Sequence, residues 1–142
     1  MIHIGIDNGL SGAIVVIDSN HNIISKTVMP IINGKRKAYD IKKIADILKK
    51  IKEEADANNE KVCAMIEKAM IIPVSGRLSL FSSGFCFGMF QGIFTTLNIS
   101  YEIARPQDWQ KDILKGLNLK DTKQMSILWC KRKFPKEDWR AT

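Results

Sequence analysis

The stretch Ile2-His3-Ile4-Gly5-Ile6-Asp7-Asn8-Gly9-Leu10-Ser11-Gly12-Ala13 carries most of what the sequence says about the fold. Ile2, Ile4 and Ile6 alternate with His3, Gly5 and Asp7, the two-residue period of a half-buried strand. That strand ends on a carboxylate. Gly9 and Gly12 then permit a tight turn beside the acid and let a substrate backbone come near it. A second apolar run, Ala13 to Asp18, follows at once. A third, Ile23 to Val28, comes after the turn residues Ser19-Asn20-His21-Asn22. Connections this short predict an antiparallel meander.

Working outward, Asn33-Gly34-Lys35-Arg36-Lys37 is a basic loop, and Asp40 is placed to cap a helix with Ile41, Ile44, Leu48 and Ile51 on one face. The helix ends near Asn58-Asn59, and Val62 to Glu67 is a fourth strand, parallel to the first through that helix. A loop from Met70 to Leu78 leads into a helix over roughly Ser79 to Leu97. Gly84, Gly88 and Gly92 share one stripe of it. Glycine costs about 1 kcal/mol per helical position relative to alanine, so three together need a packing reason. Either the stripe lies on the sheet, or it admits the backbone of a second chain. Ile99 to Ala104 is a fifth strand. Helices are expected from Pro106 through Lys115 and from Asp121 or Thr122 through Lys133. The predicted fold class is α/β: a mixed five-stranded sheet, three antiparallel strands then parallel ones, with helices on both faces, in a single domain over 1–142.

Composition narrows the function classes. Hydrophobic residues make up 45% of the 142 and charged residues 26%, which fits a globular core and neither a disordered tail nor a membrane protein. No run approaches 18 apolar residues, and no basic-then-apolar leader opens the chain. A cytoplasmic protein is expected, nucleoid-associated or virus-encoded in a host cell. Lys and Arg outnumber Asp and Glu by 22 to 15, a net +7. That surplus suits a polyanionic partner, or simply a Lys-rich soluble surface. Cys63, Cys86 and Cys130 form no metal-ligand spacing and are expected to be buried free thiols.

Asp7 and Glu67 stand out because each closes an apolar strand. In a parallel pair of neighbours, both carboxylates emerge side by side at one sheet edge. Like charges held close repel, and a divalent cation is the usual remedy. Oxygen-only ligands select Mg²⁺ or Mn²⁺ over zinc. With a phosphodiester, such a site can hold two ions about 3.5–4 Å apart.

Ile4-Gly5-Ile6-Asp7, with Gly9 and Ser11-Gly12-Ala13 after it, resembles the first-strand motif of RuvC-type Holliday junction resolvases, especially their phage and organellar relatives. Ile66-Glu67-Lys68-Ala69 resembles their fourth-strand motif. Phe81-Ser82, Gly84 and Gly88-Met89-Phe90-Gln91-Gly92-Ile93 resemble the helix after it, and Arg105-Pro106-Gln107 with Trp109 has a counterpart too. The resemblance runs along nearly the whole chain. It implies an RNase H-like fold and a Mg²⁺-dependent endonuclease that resolves four-way DNA junctions, with Asp7 and Glu67 as catalytic metal ligands. The family carries two more acids on a C-terminal helix. This chain closes on Asp138-Trp139-Arg140-Ala141-Thr142, so a domain lacking that helix is expected. Asp121, Glu137 and Asp138 are not at the matching place. Two alternatives stay open: a non-catalytic nucleic-acid binding module on the same fold, and an RNase H-like nuclease for another nucleic acid, such as an RNA–DNA hybrid.

Branched double-stranded DNA is thus the expected partner. Candidate contacts are Lys35, Arg36, Lys37, Lys68, Ser75, Gly76, Arg77, Lys111, Lys115 and Lys123, with Lys120 and Lys131-Arg132-Lys133 as further cations. Phosphate contacts of this kind position the backbone and read no bases. The resemblance also implies a homodimer on the glycine-striped helix, through Gly84, Phe85, Gly88, Met89 and Gly92, so that two sites can nick two symmetry-related strands.

Overall fold

The computed structural model describes residues 1–69, 76–117 and 121–139. The chain divides into two compact units, Met1–Ala104 and Arg105–Thr142, each taken by itself below.

In the first unit, β1 (Ile2–Asp7), β2 (Ala13–Ile17) and β3 (Ile23–Val28) form the antiparallel meander that the alternation predicts. On its other side β1 pairs in parallel with β6 (Val62–Glu67), and β6 with β7 (Ser100–Ala104). The sheet order is β3-β2-β1-β6-β7, so β1 is central. Between β3 and the first helix lies a small hairpin, β4 (Ile31–Ile32) and β5 (Ala38–Tyr39), which carries the basic loop at its tip.

Helix α1 (Ile41–Ala57) starts where expected, with the Asp40 carboxylate accepting from the Lys43 amide at 3.0 Å. Its Ile44 and Leu48 are wholly buried. Helix α2 (Arg77–Thr96) buries Cys86, Phe90 and Phe94, one residue per turn. These pack with Ile4, Ile14, Val16, Ala64 and Ile66 into one core. Each buried Phe contributes roughly 2–3 kcal/mol of transfer free energy. By length and composition alone α2 could cross a membrane; its fully buried Cys86-Phe90-Phe94 edge accounts for part of that apolarity within a globular core.

The glycine stripe faces away from the sheet. At Gly84, Gly88 and Gly92 no atom of the described residues lies within 4 Å of where a Cβ would stand. Packing of this stripe on the sheet is therefore ruled out within the protomer. Gly88, Met89, Gly92 and Ile93 instead line a shallow apolar groove of about 350 Å³ with Ile41 and Ala45 of α1.

In the second unit, α3 (Pro106–Ile113) begins with proline in its first turn, and Arg105 holds Asp108 with two hydrogen bonds, 2.7 and 3.2 Å. The helix stops short of Lys115, because Leu114 caps it and Gly116 takes a left-handed φ of 83°. Helix α4 (Thr122–Lys133) is capped by Asp121. Phe134 sits between Trp129 and Trp139, with ring centroids 6.1 and 6.0 Å away.

Candidate active site

The register of the central pair decides the site. Ile6 lies opposite Ile66 in the parallel ladder, so the next residues along, Asp7 and Glu67, are neighbours at the same end of the sheet. On its other flank Asp7 lies opposite Ala13, and Glu67 lies opposite Ala104. Alternation puts both side chains on the face opposite the apolar core, with Asp7 solvent-accessible and Glu67 half-buried. Although its carboxylate reaches solvent, Asp7 is closely surrounded. Burial, and then the Glu67 negative charge, push its carboxyl above the ordinary value.

The turn after Asp7 shapes the rim. Gly9 adopts φ 140°, a conformation that suits glycine, and the Gly12 amide donates to the Gly9 carbonyl at 3.1 Å. Met29 then donates to the Gly12 carbonyl at 2.8 Å, and Asp40 to the Pro30 carbonyl at 2.9 Å. These bonds tie the stem of the basic hairpin to the Asp7 turn. Tyr39 at the hairpin base is buried, stacks on Phe85 at 6.0 Å, and has its hydroxyl 3.3 Å from Ser82 Oγ. Burial holds the Tyr39 hydroxyl at a pKa of about 12. Cys86 is the one thiol fully buried, and burial raises it also. Cys63 and Cys130 are half-buried rather than buried as expected, and all three are free.

The structure brings together only part of the predicted surface. Lys35, Arg36 and Lys37 are exposed at the hairpin tip. Lys68, next to Glu67, is exposed, and its amide donates to the Ala104 carbonyl at 2.8 Å. Arg77 was expected in a loop and is instead the first residue of α2, with Gly76 at its N-cap. Helical hydrogen bonding starts there because the Gly76 carbonyl accepts from Ser79 and Leu80. Ser75 and Lys120 lie outside the described residues. Lys111, Lys115 and Lys123 are exposed in the second unit. Phe85 of the predicted interface is also exposed.

Charge is unevenly placed. Along α1, Lys42, Lys49, Lys50 and Lys52 each pair with an acid four residues on. Residues 105–142 hold ten cations against five acids, five of the seven surplus positive charges. A concavity of about 420 Å³ lies at the other end of β1, lined by Ile2, Val16, Ile24, Ile51 and Glu54. Because Asp7 and Ile2 are opposite ends of the six-residue β1, that concavity is not part of this site. Among the described residues no group of three or more His, Cys, Asp or Glu converges as a metal cluster.

Neither a protein-family description nor a curated protein sequence matches this chain. Solved structures do. Thermus thermophilus RuvC in complex with Holliday junction substrate superposes with a TM-score of 0.67 at 11% identity, over 100% of this chain and 83% of that one. The chain has the RuvC fold. A second structure of Thermus thermophilus RuvC gives a TM-score of 0.64, again at 11% identity, over 100% of this chain and 84% of the other. The mixed five-stranded sheet with helices, expected from the sequence, is the RuvC-type, RNase H-like arrangement.

Proposed function

We propose that this protein is a structure-selective endonuclease that hydrolyses phosphodiesters in branched DNA at Asp7 and Glu67. One observation carries the proposal: two carboxylates from strands far apart in sequence stand side by side at one end of a parallel pair. The residues fit a hard divalent cation, since both donors are oxygen anions and the Glu67 charge already raises Asp7. Mg²⁺ or Mn²⁺ bound there supplies an activated water and charge stabilisation for the leaving oxygen. The protein's part is to hold the two carboxylates on adjacent strand ends and to bring phosphate to them. Lys68 directly after Glu67, Arg77 at the start of α2, and Lys35, Arg36 and Lys37 at the hairpin tip are the candidate phosphate contacts of the first unit. Lys111, Lys115 and Lys123, exposed on the second unit, are candidate phosphate contacts of that unit. The likeness to RuvC, solved in complex with a Holliday junction, supports a four-way junction as substrate. The exposed glycine stripe supports a two-fold dimer through Gly84, Phe85, Gly88, Met89 and Gly92.

A second reading, binding without cleavage, is favoured by the presence of only two acids at the site among the described residues. Labelled four-way junctions, linear duplexes and RNA–DNA hybrids incubated with Mg²⁺ separate the readings. Paired nicks confined to junctions, lost in Asp7→Asn and in Glu67→Gln while binding persists, are expected. Normal cutting by both variants removes this active site, and tight binding with no cutting by the parent chain establishes the second reading.

A further inference from the structure

Beneath the two carboxylates lies a run of polar side chains for which cleavage chemistry has no use. Asn8 follows Asp7 and turns its amide across the end of the sheet, where Nδ2 donates to the Glu67 backbone carbonyl. Its Oδ1 faces the Cys86 thiol, with Sγ 4.0 Å away. The thiol in turn meets the Tyr39 hydroxyl, which rests on Ser82. A continuous polar contact thus runs from the hairpin stem, under α2, to the backbone of Glu67.

The place of Asn8 gives this contact a purpose. The β1–β6 ladder makes its last register pair at Ile6 and Ile66, one residue short of the acids. Two like charges just past the end of a ladder push their strand ends apart. An amide can tie those ends without changing the charge between them. Lysine or arginine in its place would neutralise the anionic site, aspartate would add a third negative charge and cannot donate, and an apolar residue would leave the carbonyl without this donor.

We propose that Asn8 is a positioning residue that fixes the spacing of Asp7 and Glu67 for a divalent cation. This rests on reading Asp7 and Glu67 as a cation-binding nuclease centre. Partners that orient metal ligands without touching the metal are typically worth about 10–100-fold in affinity.

The test is Mn²⁺ affinity of the full chain by electron paramagnetic resonance, for the parent, Asn8→Leu and Asn8→Gln, with Asp7→Asn to identify the site and with metal-free melting curves alongside. Asn8→Leu, similar in size and unable to donate, is expected to weaken Mn²⁺ binding by about tenfold or more. Asn8→Gln, which keeps the amide, is expected to recover most of that loss. A lower melting temperature with unchanged Mn²⁺ affinity would reduce Asn8 to a structural hydrogen bond and overturn the proposal alone. Absence of Mn²⁺ binding in the parent, or binding that Asp7→Asn leaves intact, would overturn the nuclease centre and this proposal together. If Asn8→Leu does not fold, Asn8→Ser, too short to span to the Glu67 carbonyl, replaces it in the same comparison.

Discussion

Gly12 is pressed against the backbone of Asp7: a Cβ built on residue 12 would stand 2.0 Å from the Asp7 carbonyl oxygen and 3.1 Å from that of Gly9. The glycine needed beside the acid is thus demanded by the protein's own main chain rather than by an approaching substrate. Gly12→Ala is expected to cost about 2 kcal/mol or more, since the obstacle is backbone that cannot swing aside. For a chain of this size that is a fall of roughly 5 °C or more in melting temperature. A thermal denaturation curve matching the parent's would contradict the packing.

The raised carboxyl of Asp7 has a pH signature. Because the folded-state pKa lies above the unfolded one, the folded chain binds more protons in that window, and stability falls as pH rises through it. The penalty is absent at pH below the unfolded Asp value and complete above the folded one. Mg²⁺ or Mn²⁺ should therefore raise the melting temperature at neutral pH, progressively less as Asp7 protonates in acid, and hardly at all in Asp7→Asn. Equal stabilisation of the parent and Asp7→Asn at neutral pH would mean the ion binds elsewhere.

Lys35, Arg36 and Lys37 project from a two-strand stem whose base is buried by Tyr39. Changing all three to alanine leaves the stem contacts in place, so the melting temperature should stay within about 2 °C of the parent's. Each phosphate contact on duplex DNA contributes about 0.9 to the slope of log K against log salt. Filter binding across a salt series should show the slope reduced by roughly 2 to 3. An unchanged slope would mean that the hairpin does not touch phosphate.

Gly88 is open enough to separate folding from association. With no atom of the described residues within 4 Å of its Cβ position, Gly88 has room there for the leucine of Gly88→Leu, and leucine favours the helix by about 1 kcal/mol over glycine. Sedimentation velocity is expected to show folded monomers that bind DNA poorly. A sedimentation coefficient unchanged from the parent's would remove the dimer.

What the sequence disclosed follows the strength of its periodic signals. β1, with Ile at 2, 4 and 6, and α1, with Ile44 and Leu48 behind an Asp40 cap, could be bounded almost to the residue, because burial and propensity agree there. Asp7 and Glu67 stood out for the same reason, as charges ending apolar runs. The β4–β5 hairpin was hidden because two-residue strands contain no period. The outward glycines of α2 were hard to orient because the helix is apolar nearly all round: Phe81 and Phe85 are exposed while Phe90 and Phe94 are buried. The early end of α3 depended on a left-handed Gly116 that a helical pattern does not display. The contact limit at Gly12 and the amide of Asn8 depend on what lies across the chain turn or the sheet. The sole hint was a polar residue directly after a strand-ending acid. No proline- or glycine-rich linker marks the boundary after Ala104 either.

The parallel pairing of β1 with β6 has a consequence for the order of events in a cell. Asn8 and the Glu67 carbonyl it holds are 59 residues apart in sequence, with the meander, hairpin and first helix spooled between them. Ribosomes add about 5–20 residues per second, so a growing chain carries its first acid for several seconds before the second exists. On the proposed nuclease reading, a nascent or clipped chain ending before β6 holds one of the two acids and no pair that could take a cation. The two carboxylates become neighbours only when the long-range strand docking is complete.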